Sequence, residues 1–215
     1  TMNNMKITKH GHACLELELD SKTVIIDPGS YTDELTNLGT VVAVVVTHKH
    51  DDHCDEAKIA QIKKDNPAVQ VFGTSEVATR LSGMGVTTVY HGDYYEVGSF
   101  KLEFFGDMHQ VIHESIPLVQ NTAVLVNGDL YYAGDSYTKP DVIVKALACP
   151  TSAPWLKIGD VMDYIQEIKP AICFPTHNAL LSQVGHDLNN SRVKLVTEEN
   201  GGEFRYLEVG QSLEI

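Results

Sequence analysis

The chain predicts an α/β sandwich, two packed sheets with helices on their outer faces. Three observations predict it. Short alternating runs joined by tight turns mark antiparallel strands. The run Val41-Val42-Ala43-Val44-Val45-Val46 is apolar on both sides, as in a buried central strand. The last third alternates strand and helix patterns, as in βα units.

Taken in order, residues 5–8 open with a strand. Residues 13–19 alternate apolar and acidic side chains, a strand with one wet face. Asp20-Ser21 turns the chain, and 23–26 returns it to Asp27-Pro28-Gly29. After the central strand, 55–64 has helical composition and stops before Pro67. A strand at 69–72 and a short helix at 75–81 follow. Strands are expected at 88–90, 94–97 and 100–105, with Gly98-Ser99 as a hairpin turn. Residues 122–126 and 130–133 flank Asn127-Gly128, a favoured hairpin dipeptide. Strand 144–149, helix 158–168 and strand 171–174 come next. The segment after Asn178 reads as helical, and 204–209 as a closing strand. No Pro/Ser-rich linker or short repeat divides the chain, so one domain is expected over 1–215.

Composition narrows the function. Sixteen Lys and Arg against 29 Asp and Glu leave a net charge of −13, which argues against a broad grip on nucleic-acid phosphates. No run approaches the roughly 20 apolar residues of a membrane span. Thr1-Met2-Asn3-Asn4-Met5-Lys6 shows no leader pattern, giving the expectation of a cytoplasmic protein. Cys14, Cys54, Cys149 and Cys173 are far apart and form no CxxC pair, so free, packed thiols are expected.

The chemistry lies in the histidines. Thr47-His48-Lys49-His50-Asp51-Asp52-His53 follows the most buried strand and precedes a helix, where α/β folds place ligands. Imidazole and carboxylate are ligands for zinc and similar divalent ions. The loop offers more ligands than one ion can easily use, which points to two ions. His109, Asp135 and His177 each lie just past an apolar run, so one sheet rim can collect them. Singly, Asp135 also suits a turn after Gly134, and His177 a helix entry.

With Asp27 upstream and His109, Asp135 and His177 downstream, His48-Lys49-His50-Asp51-Asp52-His53 resembles the metallo-β-lactamase fold superfamily of metal-dependent hydrolases. The resemblance spans nearly the whole chain. It implies a four-layer αβ/βα sandwich with the site at one edge of the sheets. It places one ion on His48, His50 and His109 and a second on Asp52, His53 and His177. Asp135 would bridge them, and Asp27 would support the ligand loop from behind. Lys9-His10-Gly11-His12-Ala13-Cys14 and Ile26-Asp27-Pro28 resemble the branch containing ascorbate-phosphate lactonase. Three further segments resemble uncharacterised bacterial members: His109-Gln110-Val111-Ile112-His113 through Pro117, Gly134-Asp135-Ser136, and Ser152-Ala153-Pro154-Trp155-Leu156. One departure is Cys54-Asp55, where many members carry Gly.

Two such ions can share a hydroxide at neutral pH and polarise a carbonyl or phosphoryl oxygen. No GxSxG elbow offers a competing nucleophile. Asp52 or Asp135 is expected to orient the nucleophile and take its proton. His12, His113 and Trp155 are expected to line the substrate pocket. Cys54 is read as packing, His10, His91 and His186 as surface residues, and Asp51 as solvent-facing or a helix cap. Zinc is the default ion and manganese the alternative, since nitrogen and oxygen ligands select weakly. The leading expectation is hydrolysis of a small ester, lactone or phosphoester. The alternatives are nucleic-acid phosphodiester cleavage on the same fold and a metal-binding sensor without turnover. Oligomeric state is not legible.

Overall fold

The computed structural model describes residues 4–215. Thr1, Met2 and Asn3, part of the opening read above, lie outside the described residues. Two seven-stranded sheets face each other. The first has the order β14-β1-β2-β3-β4-β5-β6, with β1 Lys6–His10, β2 Cys14–Leu19, β3 Lys22–Ile26, β4 Thr40–Val46, β5 Gln70–Gly73, β6 Val86–Thr88 and β14 Ser212–Glu214. The second has the order β13-β12-β11-β10-β9-β8-β7, with β7 Tyr94–Val97, β8 Phe100–Phe105, β9 Ala123–Val126, β10 Leu130–Tyr132, β11 Ala146–Pro150, β12 Ile172–Thr176 and β13 Glu203–Phe204. Helices α1 Glu56–Asp65 and α2 Ser75–Arg80 cover the first sheet; α3 Ile158–Ile168 and α4 Gln183–Glu199 cover the second.

Three separate apolar layers account for the four-layer stacking. Ile7, Leu17, Val24 and Val45 of one sheet meet Phe104, Val124, Tyr132 and Phe174 of the other. The outer face of the first sheet, with Val44, Val46 and Val71, packs on Ile59, Ile62 and Val77. The outer face of the second, with Leu125, Tyr131 and Leu147, packs on Val161, Ile165 and Val193. Strand β4 contributes to both of its faces, which explains its unbroken apolar run. Helix α1 is capped by Asp55, whose side chain accepts the Lys58 N–H.

Each sheet is antiparallel in one half and parallel in the other. The ladders β3–β4–β5–β6 and β10–β11–β12–β13 are parallel. Their carboxyl ends emerge on one rim, and that is where Asp27, His48, Asp135 and His177 follow. The expected hairpin at Asn127-Gly128 is present. Both residues have positive φ, and the Asp129 N–H closes onto the Val126 carbonyl.

The C-terminus departs from expectation. Residues 204–209 do not form one strand. The ladder with β12 ends at Phe204, and the chain closes instead with β14 on the far sheet, paired to β1. The expected strand 144–149 is shifted to Ala146–Pro150, and 88–90 to Val86–Thr88. The helix after Asn178 starts only at Gln183, where Ser182 supplies the cap. Among the described residues no helix is long and apolar enough to cross a membrane.

Candidate metal centre

The ligand string begins where β4 ends. Thr47 N–H and Thr47 Oγ–H both donate to Asp27, each at 2.7 Å, tying the string to the end of β3. Gly29 makes the packing possible. A Cβ there would lie 1.7 Å from the Asp52 carbonyl oxygen, so only Gly lets the two loops touch. Cys54 turns into the apolar layer around α1, where burial pushes its thiol up to about 12. Gly134, at φ 61°, allows a similar approach to Asn121 and Thr47 and sets the direction of Asp135. Asp27 and His177 are themselves left-handed, at φ 48° and 54°, conformations that cost about 1 kcal/mol or more and gather at functional sites.

Two groups of ligand atoms result, each within 4.8 Å: His48, His50 and His109 in one; Asp52, His53, His177 and His12 in the other; a third group, His48, His53 and Asp135, joins them. Asp135 lies between them. Its Oδ2 is 3.2 Å from His109 Nε2 and 3.9 Å from His48 Nε2. Its Oδ1 is 3.1 Å from His53 Nε2 and 3.2 Å from His177 Nε2. Most of this set is buried; His50 and Asp52 are half-buried and form the accessible side.

Hydrogen bonding fixes which ring nitrogens are bare. His109 Nδ1–H donates to the Gln110 carbonyl, and His177 Nδ1–H to the Ser152 carbonyl, each at 2.5 Å. His53 Nδ1–H donates to Asp27 Oδ2 at 2.7 Å. The Thr47 hydroxyl proton is already given to Asp27, so His48 Nδ1–H donates to Thr47 Oγ at 3.0 Å. Every one of these rings therefore turns its Nε2 to the centre. Those four Nε2 atoms and Asp135 Oδ1 are buried without a hydrogen-bond partner. Inward-facing bare nitrogens backed by fixed acceptors are what a metal ligand set requires. The residues fit divalent ions.

His12 differs. Its Nδ1 accepts the Ala179 N–H at 3.2 Å, so its Nε2 carries the proton and donates to Asp52 Oδ2 at 3.2 Å. It is an orienting donor rather than a ligand, fully buried, with its ring 3.9 Å from that of His177. Trp155 reaches the site too. Its indole N–H donates to Asp135 Oδ2 at 2.8 Å. Burial opposes charge on Asp135, yet the imidazoles of His53 and His177 outweigh it and hold the carboxyl well below the usual range. Asp52 is held down against burial by His12 and His177. His48 is pushed well down by burial and by His53.

A profile of the beta-lactamase superfamily domain matches residues 6–177. The chain belongs to the metallo-β-lactamase superfamily. This superfamily member is 30% identical over 198 residues to protein Rv0786c of Mycobacterium tuberculosis, covering 90% of this chain and 93% of that one. It is 27% identical over 240 residues to a UPF0173 metal-dependent hydrolase of Shouchella clausii, covering 98% of this chain and 100% of that one. Its fold resembles that of Igni18, a metallo hydrolase from Ignicoccus hospitalis, with a TM-score of 0.76, 17% identity and 99% of both chains covered.

The metallo-β-lactamase fold thus brings together all seven residues read as metal ligands, with Asp27 behind them. His113 is not among the grouped ligand atoms. His113 is exposed, and its Nδ1 accepts the Ser115 N–H in a local turn. Asp51 faces solvent and pairs with Arg80 at 2.7 Å; Asp55 caps the helix instead. His186, read as a surface residue, has a buried Nδ1 against a cavity. The orienting hydrogen bonds of His12 and Trp155 were missed, since their partners are 40 and 20 residues away.

Proposed function

We propose that this metal-dependent hydrolase of the metallo-β-lactamase superfamily cleaves a small ester, lactone or phosphoester at a dinuclear centre. One observation carries the reading: four buried, bare imidazole nitrogens and one carboxylate oxygen converge with no protein partner. His48, His50 and His109 would hold one ion, Asp52, His53 and His177 the other, and Asp135 would serve both. Two divalent cations so held bring a water's pKa toward 7 and polarise the oxygen of the scissile bond.

The chain's own residues do the rest. His50 and Asp52 line the accessible side, so substrate enters there. His12 engages Asp52 Oδ2, which leaves the other oxygen of Asp52 to take the nucleophile's proton. Trp155 holds Asp135 against rotation. Exposed apolar side chains lie in the segments beside the ligands. Tyr31 is edge-on to His12, and Leu180 follows His177 closely in sequence. Lys49, inside the ligand string, is already paired with Glu76 at 2.9 Å. Exposed Tyr31 and Leu180 together with a neutralised Lys49 favour a small organic substrate over a nucleic-acid strand. Zinc is the ion we assign, with manganese as the alternative.

The test is a panel of lactones, aryl esters, thioesters, phosphodiesters and RNA, each with the zinc- and manganese-loaded protein. The expected result is turnover of at least one small substrate, reduced more than about 100-fold in His48→Ala. Cleavage of RNA alone, or of nothing, contradicts the reading.

A further inference from the structure

A second polar cluster sits beside the metal centre and takes no part in it. Lys9 on β1 is 3% exposed. Its ammonium carries three donors, and one of them reaches Asn178 Oδ1 at 3.0 Å. Among the described residues no carboxylate comes within ion-pair distance of it. Asn178 is 2% exposed, and its Nδ2 has no partner. The buried Nδ1 of His186 has none either. These groups border a half-open cavity of about 140 Å³, lined also by Tyr206, Glu208 and Val209.

An unpaired ammonium and an unpaired amide are costly to bury unless something accepts their hydrogens. We propose that the cavity between Lys9, Asn178, His186 and Tyr206 is a binding site for a small monocarboxylate. Lys9 Nζ would give the anion its remaining donors, with the unpartnered Asn178 Nδ2 beside it, and the anion neutralises the ammonium. At about 30 Å³ per water-sized group, the space admits an acid of roughly four or five heavy atoms. Glu208 stands exposed on the rim and disfavours a dianion such as phosphate. Burial lowers the Lys9 ammonium to about 8 while Glu208 opposes this. The site adjoins the centre through its wall. Asn178 follows His177, and the Ala179 N–H holds His12 Nδ1. The inference does not depend on which bond the metal centre cleaves.

The test is an acetate titration of the zinc-loaded, ¹⁵N-labelled full chain, following the Asn178 side-chain amide and the Ala179 N–H by NMR. The expected result is a saturable shift with a Kd of about 1–10 mM. The affinity falls at least about tenfold in Lys9→Met, whose apolar side chain suits the burial. Asn178→Leu gives the same loss, and melting temperatures of both variants show that they fold. Inorganic phosphate, the control on wild type, shifts these signals less than acetate does. Unmoved signals would mean a cavity filled with water only and would overturn the proposal. So would acetate binding that persists in Lys9→Met, which would place the anion at the metal centre. Phosphate binding as tight as acetate would overturn the assignment to monocarboxylates.

Discussion

Asp135 is held from two directions, and this decides what its neighbours do. Its backbone N–H donates to Asn121 Oδ1, its Oδ2 accepts from Trp155, and its Oδ1 is left bare. Outer partners of this kind set ligand direction, and their loss costs about 10–100-fold in metal affinity. Trp155→Phe keeps the ring's packing on His109 and Tyr137 and removes only the donor. Its metal affinity, read by competition with a chelating dye, falls at least about tenfold, with little change in metal-free melting temperature. Because Trp155 is the sole tryptophan, its fluorescence in wild type reports ion binding directly. Lys9 makes a separate prediction. Its folded pKa, about 8, lies below the unfolded value near 10.5, because burial disfavours the charge while Glu208 opposes the shift. Between these values the unfolded chain binds more protons, so stability rises with pH. His186, Tyr206 and Glu208 face the same cavity and are common to both proteins. Urea unfolding of wild type and Lys9→Met from pH 8 to 10.5 shows wild type gaining relative to the variant, by at most about 3 kcal/mol.

The loops that carry the ligands are braced from outside by helix α2. Glu76 accepts from Lys49 Nζ and from the Gln120 N–H, and Ser75 Oγ–H donates to Gln120 Oε1. Arg80 donates to the Lys49 carbonyl and pairs with Asp51. A six-residue helix thus fastens both the His48–His53 string and the segment after His109. Glu76→Ala speeds amide hydrogen exchange at Gln120 by about tenfold, since an N–H loses its acceptor while the core is untouched. Gly29 is the tighter constraint. Gly29→Ala must separate the Asp27–Gly29 turn from Asp52, with a stability loss of about 3 kcal/mol or more in a denaturant titration. That the candidate ligands gather was legible because the segments carrying them follow apolar strands and strand ends share a rim; their division between two ions came from the family resemblance. The bracing was not legible, since it joins α2 to loops 27 to 45 residues away. His113, by contrast, makes a purely local bond with Ser115 and stays exposed. Strand β14 was missed because its partner β1 lies some 200 residues earlier, and three residues have no period to read.

The two halves of the molecule repeat one order of elements. Strands β1 to β4, α1, β5, α2 and β6 correspond to β8 to β11, α3, β12, α4 and β13. In each half the parallel strands send their carboxyl ends to the same rim. The candidate centre draws on both: His48, His50, Asp52 and His53 from the first, His109, Asp135 and His177 from the second. Neither half alone holds a complete set, so the sandwich must close before the ligands meet. The alternation of antiparallel and parallel segments made the layered class readable from the chain. The correspondence of halves was not, because it lies in element order rather than in residue identity. The most direct measurement is anomalous diffraction from a crystal of the zinc-loaded protein. Two peaks are expected, one on His48, His50 and His109, the other on Asp52, His53 and His177, with Asp135 touching both. Zinc bound elsewhere, or a single ion with half of these side chains turned away, would contradict the account.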